Sequence, residues 1–329
     1  MINPKLKKIV NVYQVQYAGF KAPGFGDFLR GSLSMSQFIR VVNKACGTSI
    51  EFDMDICNHP MSAYVVTPKV KPCVKYDSIG EFKINPQMVK DAESEKYMLQ
   101  EIIERFNALP VDSDGVYYGF CCKYEVYPIE ESDKEFIRSR LIPNPSMGAY
   151  ILSVMNQVNL NLKPKEYSVL HVRCLDSDSF SFVGTDTSNG SKPKPLTDAY
   201  FKTLDGIVES AIDSKKTYLV LSSHNGVKEH YKDRKGFVSR QGLICHLGLD
   251  EKQKTDATRD TLLDFYLMTM ANDIIGITPY GVCGFSQECA KLYNIPHTYL
   301  KFPDDTKNFT MAHMSPAQRM AYDLLFRRA

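Results

Sequence analysis

The segment YSVLHV, Tyr167 to Val172, is nearly continuous in apolar side chains. A strand that is apolar on both faces has to be covered on both faces, which is the condition of a parallel sheet wrapped by helices. Parallel strands in turn need long crossovers, usually helical, so the surrounding chain should alternate strands and helices. It does. KIVNVYQVQY (8–17) reads as a first strand, AGFKAPGFGDFLRG (18–31) as a glycine loop, LSMSQFIRVVNKA (33–45) as a helix and SIEFDMDI (49–56) as a second strand. A helix over 91–109, a strand over 115–128 and a helix over 132–142, with Ser132 as N-cap and Glu135 at capping-box spacing, complete one series. The pattern restarts at YSVLHV. It runs through a helix (200–212), the strands TYLVLSS (217–223) and GLICHLG (242–248), a helix (261–271), the strand DIIGIT (273–278) and the helix FSQECAKLY (285–293). A last helix is expected over 315–329.

At 329 residues the chain is long enough for two α/β lobes, and the join is expected near Pro164. Lys plus Arg number 40 against 38 Asp plus Glu, so no large field of one sign argues for nucleic acid or an anionic membrane as partner. The N-terminus turns polar within a few residues, and no apolar run approaches the roughly 18–20 residues of a membrane span. A soluble cytoplasmic protein is the expectation. The nine cysteines follow no zinc-like spacing and are expected to be reduced, with Cys121 and Cys122 on opposite faces of a strand.

Open α/β sheets bind ligands at the carboxyl ends of their strands, so residues that follow strands come first. HVRCLDSDSF places His171 and Arg173 on one side of a strand end, where a guanidinium fork can grip a diphosphate. The alternative is an ion pair of Arg173 with Asp176 or Asp178. In PGFGDFLRG, Gly24 and Gly26 precede a helix whose free amides suit an anion, although neither the third glycine of a dinucleotide fingerprint nor a P-loop lysine is present. Asp27 in that first turn caps the helix or serves as a general base. Ser222, Ser223 and His224 end another strand and cap a helix or contact a ligand. Phe285, Ser286 and Gln287 open a helix that offers a second anion cradle, and Asp264 either accepts from a purine N–H edge or pairs with Arg259. The polar passage 183–199 reads as a surface loop.

Taken together these pieces resemble the fucosyltransferase-like glycosyltransferases of GT-B architecture, the group of the α1,2- and α1,6-fucosyltransferases and the protein O-fucosyltransferases. His171-Val172-Arg173 with Asp176 is similar to that group's first motif. The spacing from Asp264 to Ala271 and on to Ser286, Gln287 and Cys289 is similar to its third, and Gly24-Phe25-Gly26-Asp27 resembles its amino-terminal glycine loop. The chain departs at Cys174, where a second arginine is usual, at Ser223-His224 in place of an acidic pair, and at GVCG, which lengthens the turn before Ser286.

The resemblance implies two Rossmann-like lobes facing a cleft, an acceptor-side lobe over 1–163 and a nucleotide-sugar lobe over 164–312, with 313–329 crossing back as a helix. It also implies inverting transfer of a 6-deoxyhexose, fucose from GDP-fucose, to a glycan or protein hydroxyl. His171 and Arg173 would hold GDP, Asp264 would read guanine and Ser286 with Gln287 would hold phosphate. The base would be Asp27, then Asp176, then His224. UDP- or GDP-rhamnose as donor, a non-catalytic nucleotide- or sugar-binding protein and an NAD-dependent enzyme are the alternatives. No metal is required if arginine and helix amides neutralise the diphosphate, although Asp53/Asp55, Asp112/Asp114 and Asp176/Asp178 each spell the DxD that metal-dependent transferases use.

Overall fold

A computed structural model describes residues 2–17, 20–66, 79–85, 87–174, 196–243, 247–248, 255–279 and 283–302. The first series contains β1 (Lys8–Val12), a short antiparallel pair β2 (Gln16–Tyr17) and β3 (Phe20–Lys21), α1 (Phe25–Cys46), β4 (Glu51–Asp55), α2 (Ala92–Asn107), β5 (Val116–Gly119), α3 (Glu131–Ser139) and α4 (Pro145–Met155). The second contains β6 (Ser168–Val172), α5 (Asp198–Ala211), β7 (Tyr218–Ser222), α6 (Asn225–Tyr231), β8 (Phe237–Ser239), α7 (Thr255–Thr269), β9 (Ile274–Thr278), α8 (Gly284–Tyr293) and β10 (His297–Lys301).

Each series builds its own parallel sheet, which is the two-lobed α/β layout expected from the alternation. β1 lies between β4 and β5 in the first. The second has the order β10-β9-β6-β7-β8, all parallel. Counted from β6 this is the 3-2-1-4-5 order of a doubly wound sheet, and the winding reverses between β6 and β9. β6, β7 and β9 are buried along their whole length, as their unbroken apolar runs require.

Several boundaries differ from the sequence expectation for local reasons. The first strand stops at Val12, because the Tyr17 hydroxyl donates to Val12 O (2.9 Å) and accepts from Gln14 N (3.0 Å), folding the chain back on itself. The stretch expected as a glycine loop is helical from Phe25, where the Asp27 carboxylate receives the Gly24 N–H at 3.0 Å. Gly31 sits inside α1 because a Cβ there would collide with the Cys121 carbonyl and stand 2.7 Å from Cys122 N. Cys121 and Cys122 lie just beyond β5 instead of within a strand.

At α3 the carboxylate that turns back is Asp133, receiving the Glu130 N–H at 3.2 Å, and not Glu135 answering Ser132. Asp133 is held there by Ser36 Oγ (2.6 Å) and Arg40 (3.2 Å) of α1. Of the expected strand 242–248, residues 244–246 lie outside the described residues and the ends carry no strand pairing, while β8 forms just before it. Neither α4, whose N-cap Asn144 accepts from Met147 N at 2.9 Å, nor β10 was expected. The terminal helix over 315–329 and the centre of the polar passage lie outside the described residues.

The largest apolar cluster belongs to both lobes. Tyr13, Phe25, Phe28 and Leu29 of the first meet Leu263, Phe265, Cys289 and Leu292 of the second. Separate clusters fill the far side of each sheet, Ile9, Phe38, Met98 and Phe106 in one and Leu170, Leu204, Val220 and Tyr231 in the other. Polar links tie the lobes as well. The Tyr266 hydroxyl donates to Leu141 O (2.9 Å), and Arg138 donates to Leu292 O (3.1 Å).

His59 makes a third link. Its Nδ1 accepts from Met61 N (3.1 Å), so Nε2 carries the proton and donates to Leu247 O at 2.7 Å. Burial pushes this imidazole down to about 4, against the opposing pull of the Leu247 carbonyl. Between that value and the unfolded 6.5 the unfolded chain binds the extra proton, so stability from this group is present above about pH 6.5 and is lost as pH falls toward 4. Urea unfolding followed from pH 7 to pH 4 should show a loss on the order of 3 kcal/mol from this residue, and His59→Gln should flatten the profile over that window.

Candidate active site

The winding reverses between β6 and β9, and in open α/β sheets the ligand crevice lies at the carboxyl ends of the strands at that point. β6 delivers His171 and Arg173 there. His171 is only 5% exposed and Arg173 is half-buried, with its backbone N–H bonded to Ile277 O at 2.8 Å. After β9 the chain enters α8, whose first amides have no partner within the helix and suit an anion. Phe285 and Gln287 are half-buried in that first turn, and the Phe285 ring lies 5.9 Å from His171. Ser286 is fully buried, its Oγ turned back toward Cys283 O at 3.4 Å.

A second helix N-terminus, that of α1, arrives from the other lobe. Gly26 packs directly on Gly284. A Cβ at Gly26 would collide with the Gly284 carbonyl carbon and stand 2.7 Å from its oxygen and 2.8 Å from Phe285 N. Gly26 lacks a side chain because the α8 backbone occupies its place. On the other flank Gly248 packs on Pro23 in the same way, so the loop before α1 is clasped between two glycines of the second lobe. Phe25 adds ring contacts to Phe265 (5.2 Å) and Phe285 (6.4 Å).

Asp27 has both carboxylate oxygens engaged, Oδ2 by Gly24 N–H (3.0 Å) and Oδ1 by Arg30 (2.6 Å). Each oxygen retains a further lone pair for a hydroxyl. Arg30 also donates to Cys122 O at 3.0 and 3.1 Å and lies 4.0 Å from the Tyr124 ring centroid. Behind it stands Glu288 of α8, 0% exposed, bonded to Lys291 at 2.9 Å, which also reaches Glu125 of the first lobe at 2.8 Å. Burial, with Glu125 nearby and Lys291 opposing, pushes the Glu288 carboxyl up to about 7.

Beneath α8 lies a buried polar cluster. His171 and His297 share one face of the sheet on either side of Gly276, where a Cβ would stand 2.9 Å from His297 Nε2 and 3.5 Å from Ser286 Oγ. His171 Nδ1 and His297 Nε2 have no hydrogen-bond partner. Burial and the nearby His171 push His297 down to about 4. At Cys283, the N-cap of α8, burial raises the thiol's pKa, but the charge of nearby His171, helped by Arg173 and the Ser286 amide, brings it down to about 6.

The remaining candidates line the next strands. Ser222 Oγ donates to Val172 O (2.8 Å) and accepts from His224 N (3.1 Å), and Ser223 Oγ accepts from Cys174 N (3.1 Å), so the hydroxyls lace β7 to β6. The cap of α6 is His224, whose Nδ1 accepts from Gly226 N at 2.9 Å. Asp264 does not pair with Arg259. Its Oδ2 lies 3.3 Å from Lys228 Nζ, a lysine only 1% exposed, while Arg259 turns to Asp256 (3.3 Å) and Asp260 (3.6 Å).

Asp176 and Asp178 lie outside the described residues. Of the other DxD pairs, Asp53 is held by Lys8 (2.8 Å) and Arg140 (3.0 Å), and Asp112 closes its own turn by accepting from Asp114 N and Val116 N. Among the described residues no group of three or more His, Cys, Asp or Glu side chains is arranged to hold a metal ion. None of the described helices is long and apolar enough to cross a membrane.

The fold therefore brings the first turn of α1, with Gly24, Phe25, Gly26 and Asp27, to the start of α8, with Phe285, Ser286 and Gln287, beside His171 and Arg173, while Ser223 and His224 follow β7 and Asp264 lies on α7. Sequence reasoning missed Gly284, Gly248, Cys283, Glu288, Lys228 and His297. GVCG was visible as an extra turn, but Lys228 in VKEHYKD has the look of an exposed helix lysine, and nothing local marks it as buried.

No family model matches the chain, and no curated protein matches it. In structure it is similar to fucosyltransferases. Fucosyltransferase NodZ from Bradyrhizobium aligns over 87% of this chain and 93% of its own, with 12% identity and a TM-score of 0.44. POFUT1 in complex with GDP aligns over 91% and 99%, with 13% identity and a TM-score of 0.42. A mutant of Arabidopsis thaliana FUT1 in complex with GDP aligns over 91% and 72%, with 9% identity and a TM-score of 0.47.

Gly26→Ala inserts a methyl group between two backbones that cannot yield. It should destabilise the protein by about 1–3 kcal/mol in urea unfolding, and Gly26→Val by more.

Proposed function

We propose that the chain is an inverting glycosyltransferase that moves a 6-deoxyhexose, fucose from GDP-fucose, to a hydroxyl of a glycan or glycoprotein. The observation that carries this reading is the convergence of the His171–Arg173 strand end and the N-terminus of α8 at the switch point of the second sheet. A guanidinium and a set of helix amides converging on one crevice suit a diphosphate. The motif resemblance supplies the nucleotide and the sugar.

In single displacement the acceptor oxygen attacks the anomeric carbon while the bond to the β-phosphate oxygen breaks, and negative charge gathers on the leaving diphosphate. Arg173 and the α8 amides would stabilise that charge in a largely dry site, and no metal is needed for it. The acceptor's proton passes to a carboxylate on the first-lobe side. Asp27 is the preferred base. It stands at the N-terminus of α1 beside the lobe contact, fixed by Arg30, with a lone pair left on each oxygen. Asp176 is second. His224 ranks behind them because its Nδ1 is already committed to Gly226.

On the nucleotide side, Asp264 is half-buried and backed by Lys228, which holds its carboxyl oxygens as acceptors for a paired N–H edge such as that of guanine. An NAD-dependent activity has less support, since Gly26, the second glycine of the first βα turn, is consumed by Gly284 instead of standing open to a pyrophosphate.

Calorimetric titration with GDP, UDP and NAD tests this reading. GDP should bind, NAD should not, and Arg173→Ala should abolish GDP binding and lower transfer on the order of 10²–10³-fold. A preference for UDP would change the donor. If neither diphosphate binds, or Arg173→Ala binds GDP like the wild type, the reading is wrong.

A further inference from the structure

We infer that Cys283 is a modifiable thiol built into the donor site, one that reacts with small uncharged electrophiles and peroxides while the site is empty and blocks it once modified. Three observations place it there. Cys283 is the N-cap of α8, at the amides that suit an anion. His171, 5% exposed, stands in register with Gly276 beneath Ser286 and leaves its Nδ1 without a partner, and His297 on the same face leaves Nε2 without one. Buried ring nitrogens with nothing to bond mark a polar space that an occupant completes.

The surroundings also set this cysteine apart from the others. Cys121 and Cys289 are enclosed by apolar side chains, and burial pushes Cys121 up to about 12 and raises Cys289 as well. At Cys283 the imidazole of His171 and the guanidinium of Arg173 reverse that trend.

The chemistry needs no group beyond the reagent. With a peroxide, the thiolate sulfur attacks one oxygen, an S–O bond forms as the O–O bond breaks, and hydroxide leaves. Sulfur is oxidised to a sulfenic acid and the peroxide is reduced. With iodoacetamide, an S–C bond forms and iodide leaves. The thiol's proton goes to His171 or to water in either case. The consequence for nucleotide binding rests on the donor-site reading above, whereas the reactivity of the thiol does not.

The test is alkylation of the folded full chain by iodoacetamide from pH 5 to pH 9, with each cysteine followed by peptide mass spectrometry, and Cys283→Ser as the control for assignment. The Cys283 rate should reach half its maximum near pH 6, while Cys121 and Cys289 stay unlabelled. In His171→Gln the half-point should move up by at least about one pH unit. An inflection at or above about pH 8, the range of an ordinary thiol, overturns the inference. So does the absence of Cys283 labelling over a period that labels exposed Cys57. Should His171→Gln fail to fold, the wild-type inflection alone decides. Labelling repeated with GDP separates the two readings. Protection supports both, and fast labelling that GDP does not slow leaves the thiol standing and counts against the donor site.

Discussion

The contact of Gly26 with Gly284 is the constraint on which the rest of the molecule depends. Two helices from different lobes meet near their N-termini with no side chain between them, and backbone against backbone leaves no room for repacking. Everything at the candidate site is placed relative to that point. Phe25 and Phe285 lie on one side of it, Asp27 and Arg30 on the other, and His171 and Cys283 beneath. Gly248 on Pro23 repeats the device on the opposite flank. Two helix dipoles of the same sign are thereby brought together, a repulsive arrangement that an anion relieves.

The alternation of strands and helices was legible in the sequence because doubly covered strands such as YSVLHV cannot be disguised, and the two parallel sheets follow from it. So was the place of His171 and Arg173, which stand at the carboxyl end of β6 beside the point where the winding reverses. What escaped was set by long-range contacts. Asp27 in the first turn of α1 was legible, but the stretch through Gly31 also reads as a loop because glycines argue for one, and only the approach of Gly284 and Cys121 explains their presence in a helix. Asp133 displaced Glu135 as the capping acid because Arg40 and Ser36 of α1 hold it. The partner of Asp264 was missed for the same reason. Lys228 is a full crossover away, and its burial is a property of the packed lobe.

Buried charge is concentrated on the helices that face the crevice. Lys228 with Asp264 lies within the second lobe, and Glu288 with Lys291 and Glu125 lies where the lobes join. Each pair costs desolvation, and replacing such pairs by well-packed apolar groups is often neutral or stabilising. They also impose geometry. Lys228 lies on α6, and its carbonyl receives the Ser239 hydroxyl of β8 at 2.7 Å, so Asp264 of α7 is registered against two other elements of the sheet. The Lys291 bridge likewise fixes α8 against a loop of the first lobe.

The shared apolar cluster between the lobes bears on how the protein moves. Phe25, Phe28 and Leu29 cannot leave Leu263, Phe265 and Leu292 without exposing the largest core in the molecule. Any breathing of the crevice must therefore pivot about the junction of α1 with α7 and α8, like a book that opens while its spine stays bound. Whatever enters would do so at the fore-edge, and the least displaced atoms as the crevice opens would be those at the spine, where Arg30, Glu288 and the two glycines sit.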